Sequence, residues 1–179
     1  YYLADVMAPL DGLLQKELGW NKTDYGWFTG AYGWFNVFLF FLIFGGIILD
    51  KMGVRFTGLA AAAVMVTGAA LKYWAVSTPS LEGKSWDILL WTFPAQVWLA
   101  AIGYAIFGVG VEVAGITVSK IIVKWFKGHE LALAMGLQLS IARLGTALAL
   151  STSLPIAKAF GHVSTPILIC LLMLVIGLL

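Results

Sequence analysis

Charge is scarce in this sequence. Charged residues make up 11% of the 179 positions, whereas soluble domains carry about 25%. So little charge cannot cover the surface of a soluble domain. A hydrophobic content of 61% and a mean hydropathy of +0.93 instead indicate an integral membrane protein with the lipid bilayer as its surroundings. The net charge of +2 is too small to indicate a nucleic-acid partner.

Residues that build metal and catalytic sites are also few. The one cysteine, Cys170, excludes an internal disulfide framework, and no residues have metal-ligand spacing. There is no HExxH motif, no nucleophile paired with a histidine and no glycine-rich phosphate loop. Both histidines, His129 and His162, lie near predicted helix ends. We therefore expect no cofactor and no enzyme. A structural or receptor-like assembly partner remains one possible class.

Six apolar segments are present, and each is a candidate membrane span, since a span needs about 20 mainly apolar residues. They lie at about 1–14, 25–49, 54–76, 95–123, 130–157 and 165–179. The first and last look truncated, because the chain starts and stops inside such segments and does not begin with methionine. The short links between them force neighbouring helices to be antiparallel. Because backbone polar groups must be paired within a bilayer, the predicted fold is all-α, a polytopic transmembrane helix bundle.

The distribution of lysine and arginine does not decide the orientation in the membrane. Five basic residues are expected on the side of the links 50–53 and 124–129: Lys51, Arg55, Lys120, Lys124 and Lys127. Five others are expected near the opposite side: Lys16, Lys22, Lys72, Lys84 and Lys158. Cytoplasmic loops carry the excess of these residues, so an even division leaves the orientation open.

An acid in the fourth segment and an arginine in the fifth share a depth. Glu112 and Arg143 lie equally far from the turn KWFKGH, because the midpoint of their positions is 127.5. In an antiparallel hairpin they therefore lie on one level, about 16–20 Å from the helix ends at 1.5 Å per residue. That is near the middle of a hydrocarbon core about 30 Å thick. Each charge lies on a stripe of small residues, which allows close helix packing or leaves room for a cavity.

Two explanations fit these deep charges. They form a structural ion pair that locks two helices, or they line a polar cavity that holds a solute. A charge at the bilayer centre costs about 2.5–3.5 kcal/mol on insertion scales, and desolvation offsets much of the attraction within a buried pair. We therefore favour the solute cavity.

Three further polar residues are candidates for the same cavity. Asp5 lies roughly ten residues before the predicted end of the first span, and Tyr32 and Asn36 lie one helical turn apart in the second. Alternatives remain open for all three. The depth of Asp5 depends on where the first helix begins, and Tyr and Asn inside a bundle often form only helix–helix hydrogen bonds.

The link between the second and third segments carries a fixed pattern. Gly46, Asp50, Lys51, Gly53 and Arg55 fit G-xxx-D-[RK]-x-G-x-[RK]. Gly53 permits a tight turn, and Asp50, at a helix end, can accept hydrogen bonds from the start of a neighbouring helix or from an arginine. Five matches at fixed spacing disfavour an ordinary charged turn.

This pattern resembles the loop between helices two and three of the major facilitator superfamily, and the resemblance covers the whole chain. It implies that residues 1–179 form the N-terminal six-helix half of a twelve-helix fold, with the C-terminal half of the same transporter as partner. It also implies that both short links are cytoplasmic and that the five motif residues form a gating motif. A solute site would lie between the halves near the midplane and work by alternating access.

A closer resemblance concerns the substrate. Residues 2–5, FGVGVE (107–112) and WFKGHELALAMGLQLSIARLG (125–145) are similar to the branch containing the lysosomal dipeptide transporters. This implies that Glu112 and Arg143 hold the two termini of a dipeptide or a similar small zwitterion, and it adds Gln138 to the candidate site. The competing hypothesis is a small organic anion bound by Arg143, with Glu112 as a proton-coupling acid.

Coupling and location are left open by the sequence. Tyr104 stands where many proton-coupled members of the superfamily carry an arginine, so transport without a coupling ion is also plausible. A buried Glu112 or Asp5 could still take up a proton. Nothing in the loops suggests sorting, so we expect a bacterial inner membrane, with the lysosomal membrane as the alternative.

Overall fold

The computed structural model describes residues 1–78, 81, 83–88 and 91–179, without the side chains of 87–88 and 91–93. Its described elements are eight helices, two 3₁₀ turns and one short β-hairpin. The helices are α1 (Tyr2–Asp5), α2 (Asp11–Leu18), α3 (Lys22–Gly30), α4 (Trp34–Phe38), α5 (Phe41–Ser77), α6 (Ala95–Trp125), α7 (His129–Phe160) and α8 (Thr165–Leu178). The all-α fold class is confirmed.

Three described helices, α5, α6 and α7, are long and apolar enough to cross a membrane, and α8 is a shorter apolar helix. α6 and α7 begin and end within a few residues of the predicted fourth and fifth segments. The polar link before α6 contains strands β1 (Ser85–Ile88) and β2 (Trp91–Pro94), which pair antiparallel. This small hairpin, which the sequence did not predict, lies outside the apolar segments.

α5 is a hairpin of two helical arms, residues 41–52 and 54–77. Gly53 separates them with φ 81° and ψ 174°, a conformation that favours glycine. Phe44 and Ala61 line one small apolar cavity from the two arms, although a straight helix would place them about 25 Å apart. The arms therefore run antiparallel, as the short link predicts.

The first two predicted segments are less regular than expected. Residues 1–18 form α1, a 3₁₀ turn (Ala8–Leu10) and α2, because Pro9 interrupts the helix. The second segment is divided into α3, a 3₁₀ turn (Ala31–Gly33), α4 and the first arm of α5. Its break lies at Phe40, whose φ of 53° is rare for a residue with a side chain.

The core lies where α6 packs against the second arm of α5, with α8 and the first span on either side. Small residues make this approach possible. A Cβ at Gly103 would lie 2.7 Å from the backbone nitrogen of Lys72, and a Cβ at Gly110 would lie 2.8 Å from the carbonyl oxygen of Ala61. The two backbones are therefore in direct contact, as is common for helices packed through glycine.

Candidate functional site

A cavity of about 440 Å³ opens between residues 1–3, α6 and α7. This volume lies within the 300–1,000 Å³ typical of small-molecule sites. Residues 111–118 of α6 and 138–145 of α7 contribute to its walls, together with Tyr1, Tyr2 and Phe107. Glu112 therefore lines the same cavity as the stretch of α7 that carries Arg143.

Glu112 is the acid of this cavity. Its Oε1 accepts a hydrogen bond from the Tyr32 hydroxyl at 3.0 Å, and its side chain is half-buried. In the described part of the chain no cationic group lies within 4 Å of its carboxylate. Glu112 therefore has a neutral donor that orients it and no partner that neutralises it.

Gly108 explains why Tyr32 reaches Glu112. The 3₁₀ turn that carries Tyr32 packs on α6 one turn before Glu112, and a Cβ at Gly108 would overlap the carbonyl oxygen of Tyr32. Only a glycine allows this backbone approach. The small-residue stripe along α6 thus positions the hydroxyl that holds the carboxylate.

Arg143 and Gln138 occupy different positions at this cavity. Gln138 lines it directly, whereas Arg143 does not, although its neighbours Ala142 and Gly145 do. The Arg143 side chain is exposed and forms no salt bridge with a described residue. The predicted alternative of a locked Glu112–Arg143 ion pair is therefore not realised among the described residues.

Asp5 and Asn36 do not line the cavity. Asp5 Oδ2 accepts a hydrogen bond from Thr146 Oγ1 at 2.7 Å, which joins α1 to α7. Both polar atoms of the Asn36 amide are buried without a hydrogen-bond partner. Asp5 thus serves a helix–helix contact in this structure.

The loop motif joins two helix ends. Asp50 Oδ1 accepts a hydrogen bond from Lys120 Nζ at 2.6 Å, an ion pair between α5 and the end of α6. Lys120 also donates to the carbonyl oxygen of Leu49 at 3.4 Å. Both partners are largely solvent-exposed, with 78% of the Asp50 side chain accessible. Asp50 therefore accepts from a lysine near the end of α6, rather than from the helix start or the arginine expected from the sequence.

The other motif residues have distinct surroundings. Lys51 and Arg55 are exposed. A Cβ at Gly46 would meet nothing within 4 Å, whereas one at the adjacent Gly45 would lie 2.6 Å from Val113 Cγ2. Gly45, which is outside the motif, is thus the glycine that permits close packing on α6, whereas Gly46 of the motif is not.

Sequence reasoning missed one buried cation. Lys72, counted among the residues near the membrane boundary, is 2% exposed and lies in the core. Its Nζ is 4.9 Å from the ring centroid of Tyr104 and 5.1 Å from that of Phe107. The signal was available, because Lys72 is the only charged residue in the predicted segment 54–76 apart from Arg55 at its start.

The described residues contain no candidate set of metal ligands. No group of three or more His, Cys, Asp or Glu side chains is close enough to hold an ion. Cys170 is free and buried in the core.

Long apolar helices around a cavity with a few polar groups define a multi-pass integral membrane protein. The chain belongs to the Major Facilitator Superfamily, whose family profile matches residues 1–179. The resemblance drawn from the loop motif is thereby confirmed.

Curated relatives add a finer likeness. The chain is 30% identical over 147 residues to the lysosomal dipeptide transporter MFSD1 of Homo sapiens and 29% identical over 147 residues to that of Danio rerio; each match covers 82% of this chain. A stretch of 49 residues, 27% of the chain, is 49% identical to the Gallus gallus protein and covers 11% of it. The chain spans about 28% of the length of the human and zebrafish relatives. No solved structure matches it significantly.

Proposed function

We propose that the protein containing this chain is a membrane transporter that moves a dipeptide or a similar small zwitterion by alternating access. Residues 1–179 would be its N-terminal half, and the C-terminal half of the same protein would close the site from the other side. The family membership and the names of the curated relatives support a transporter over an enzyme or a purely structural protein. The substrate and the site are inferences from chemistry.

The observation that carries the proposal is the unneutralised carboxylate of Glu112 in the cavity. A buried charge without a counter-ion is costly, and an ammonium group supplied by a solute removes that cost. Tyr32 already occupies Oε1, which leaves Oε2 for the solute amine. A charge-assisted hydrogen bond of this kind is about twice as strong as a neutral one.

Arg143 is the partner for the other end of the solute. Its planar guanidinium suits bidentate binding of a carboxylate, and its neighbour Ala142 lines the cavity that contains Glu112. Gln138, which lines the cavity between them, offers neutral donors and acceptors to a peptide group. An exposed arginine on the membrane midplane would face the C-terminal half once the halves are joined.

Asp5, Tyr32 and Asn36 take supporting roles in this proposal. Tyr32 orients Glu112, and Asp5 holds α1 on α7 through Thr146. The amide of Asn36, whose polar atoms are buried here, would contact the solute or the C-terminal half only after a movement that exposes it. The Asp50–Lys120 pair, with Lys51, Gly53 and Arg55, would form the cytoplasmic gate.

The second candidate is a small organic anion bound by Arg143, with Glu112 as a coupling acid. The exposed Arg143 side chain favours it, because it needs only a carboxylate. Replacement of Glu112 by Gln separates the two, since it removes the site of a solute amine but only uncouples an anion carrier. Whether a proton is coupled at all stays open in either case.

The location of the membrane also stays a prediction. The bacterial inner membrane expected from the sequence has no support from the curated relatives, whose names are lysosomal. We therefore propose the lysosomal alternative for the protein that contains this chain.

The test is thermal stabilisation of the purified full-length protein by a panel of dipeptides, free amino acids, sugars and small organic acids. Only ligands that bind the folded state raise the melting temperature, by mass action. Stabilisation by dipeptides supports the zwitterion site. Stabilisation by organic acids alone supports the anion carrier and overturns the dipeptide proposal.

A further inference from the structure

Lys72 is a charged residue that the proposed site does not use. It lies on the second arm of α5, 2% exposed, in the cluster of apolar residues between α5, α6 and α8. In the described part of the chain no carboxylate lies within 4 Å of its ammonium. Its close partners are two aromatic rings, those of Tyr104 and Phe107.

The packing around Lys72 is close. A Cβ at Gly103 would lie 2.7 Å from the backbone nitrogen of Lys72. The Tyr104 ring, which contacts the ammonium, is held by stacking on Phe28 at 4.9 Å and by a hydrogen bond of 2.7 Å from its hydroxyl to the carbonyl oxygen of Ala4. The backbone of Lys72 and one of its aromatic partners are therefore both held by neighbouring elements.

Stability does not explain a lysine here. Cation–π contacts with two rings stabilise a buried ammonium only modestly, whereas its desolvation penalty is larger. A methionine would fill the same space without that penalty, and such replacements of buried charges are often neutral or stabilising. A residue that lowers stability and is closely packed is a candidate for a functional role.

Phe107 connects Lys72 to the cavity. Its ring centroid is 5.1 Å from the ammonium, and the same side chain forms part of the cavity wall. A solute in contact with that wall would lie roughly 10 Å from the charge, where an effective dielectric of about 20 gives an effect on affinity on the order of tenfold. The sign is fixed: a positive charge behind the wall favours a negative group in the cavity.

We propose that Lys72 is a positioning residue that acts through the Phe107 wall to raise the affinity of the cavity for a carboxylate. It holds the aromatic wall and supplies a buried positive charge in addition to that of Arg143. The inference rests on the proposed solute cavity, but it applies equally to a zwitterion and to an organic anion, because both carry a carboxylate.

The test compares Lys72→Met, Lys72→Gln and Lys72→Arg with the wild-type full-length protein. Melting temperature without ligand reports on structure. Affinity is measured for a dipeptide, for the same dipeptide with its carboxylate amidated, and for succinate. Lys158→Met is the matched control, since Lys158 is an exposed lysine of α7 that does not line the cavity.

We expect Lys72→Met and Lys72→Gln to melt at or above the wild-type temperature and to bind the carboxylate-bearing ligand about tenfold more weakly. The amidated peptide should bind all variants alike, and Lys72→Arg should keep wild-type affinity. If the wild type binds succinate but no dipeptide, and Lys72→Met weakens succinate, the dipeptide proposal fails and the role of Lys72 stands.

Four results overturn the inference. The first is unchanged affinity in a folded Lys72→Met or Lys72→Gln protein that still binds dipeptide, which leaves the proposed function intact. The second is equal weakening of the free and amidated peptides, which indicates a purely structural effect. The third is loss of the fold in both neutral variants, and the fourth is a wild-type protein that binds no carboxylate-bearing probe.

Discussion

The hydrogen bond from Tyr32 to Glu112 gives the most informative perturbation of the cavity. The bond is 3.0 Å long and joins two elements that are 80 residues apart in sequence. If Glu112 holds the amine of the solute, Tyr32 acts only through Glu112 by fixing its carboxylate. The effects of Tyr32→Phe and Glu112→Gln on affinity should therefore be strongly non-additive.

The magnitudes follow from the chemistry of the pair. Hydrogen bonds to charged groups contribute about 1.5–3 kcal/mol, and each 1.4 kcal/mol is a tenfold change in affinity, so Glu112→Gln should weaken dipeptide binding by roughly thirtyfold. Tyr32→Phe leaves the carboxylate in place but unoriented, so we expect a loss of about five- to tenfold. The double variant should bind within about twofold of Glu112→Gln alone.

The assay is isothermal titration of a dipeptide into the purified full-length variants. Tyr25→Phe is the control, because it also removes a tyrosine hydroxyl bond, to the carbonyl oxygen of Ala8 at 3.2 Å, but does not line the cavity. Its affinity should match the wild type. Losses that simply multiply in the double variant would refute the reasoning, as would a Glu112→Gln protein with unchanged affinity.

Three further predictions concern packing, the loop motif and a buried amide. A Cβ at Gly68 would lie 2.6 Å from the carbonyl oxygen of Gly103, so Gly68→Ala should lower the free energy of unfolding by about 1–3 kcal/mol and lower the melting temperature. Gly46→Ala is the control and should not, because a Cβ there meets open space. Equal melting temperatures for the two variants would contradict the packing. Asp50→Asn should change the free energy of unfolding by less than about 1 kcal/mol, because the ion pair is exposed. It should nevertheless slow uptake into proteoliposomes, and a variant in which Asp50 and Lys120 are exchanged should restore the rate. An unchanged uptake rate in Asp50→Asn would argue against gating. Asn36→Leu removes two unsatisfied buried polar atoms and should leave the melting temperature equal or higher; a clear drop would mean that the amide has a partner.

Features with a local cause were predictable from the sequence. The turn at Gly53 follows from a glycine between two charged residues and two apolar arms, and the structure places a positive φ there. The distances of Glu112 and of residues 138–145 to one short turn predict that they face one another, and both line one cavity; the common level of Glu112 and Arg143 stays a prediction. Such inferences succeed because helix rise and turn length fix the geometry without knowledge of packing.

Features that depend on packing were not predictable. Nothing near Phe40 resembles a helix breaker, yet its backbone adopts a positive φ that divides the second segment. Asp5 has a partner in Thr146, 141 residues away, which no local pattern reveals. Lys72 was assigned to a boundary by counting positions, whereas its burial depends on how closely Gly103 lets α6 approach.

The most direct test of the account pairs solute changes with residue changes. The affinity of the full-length protein is measured for a dipeptide, its N-acetylated form and its C-amidated form, in the wild type, Glu112→Gln and Arg143→Gln. The account predicts that either blocking group weakens binding to the wild type, that N-acetylation has no further effect in Glu112→Gln, and that C-amidation has no further effect in Arg143→Gln. If both blocked peptides bind the wild type as well as the free dipeptide, Glu112 and Arg143 do not hold its termini and the central claim is wrong.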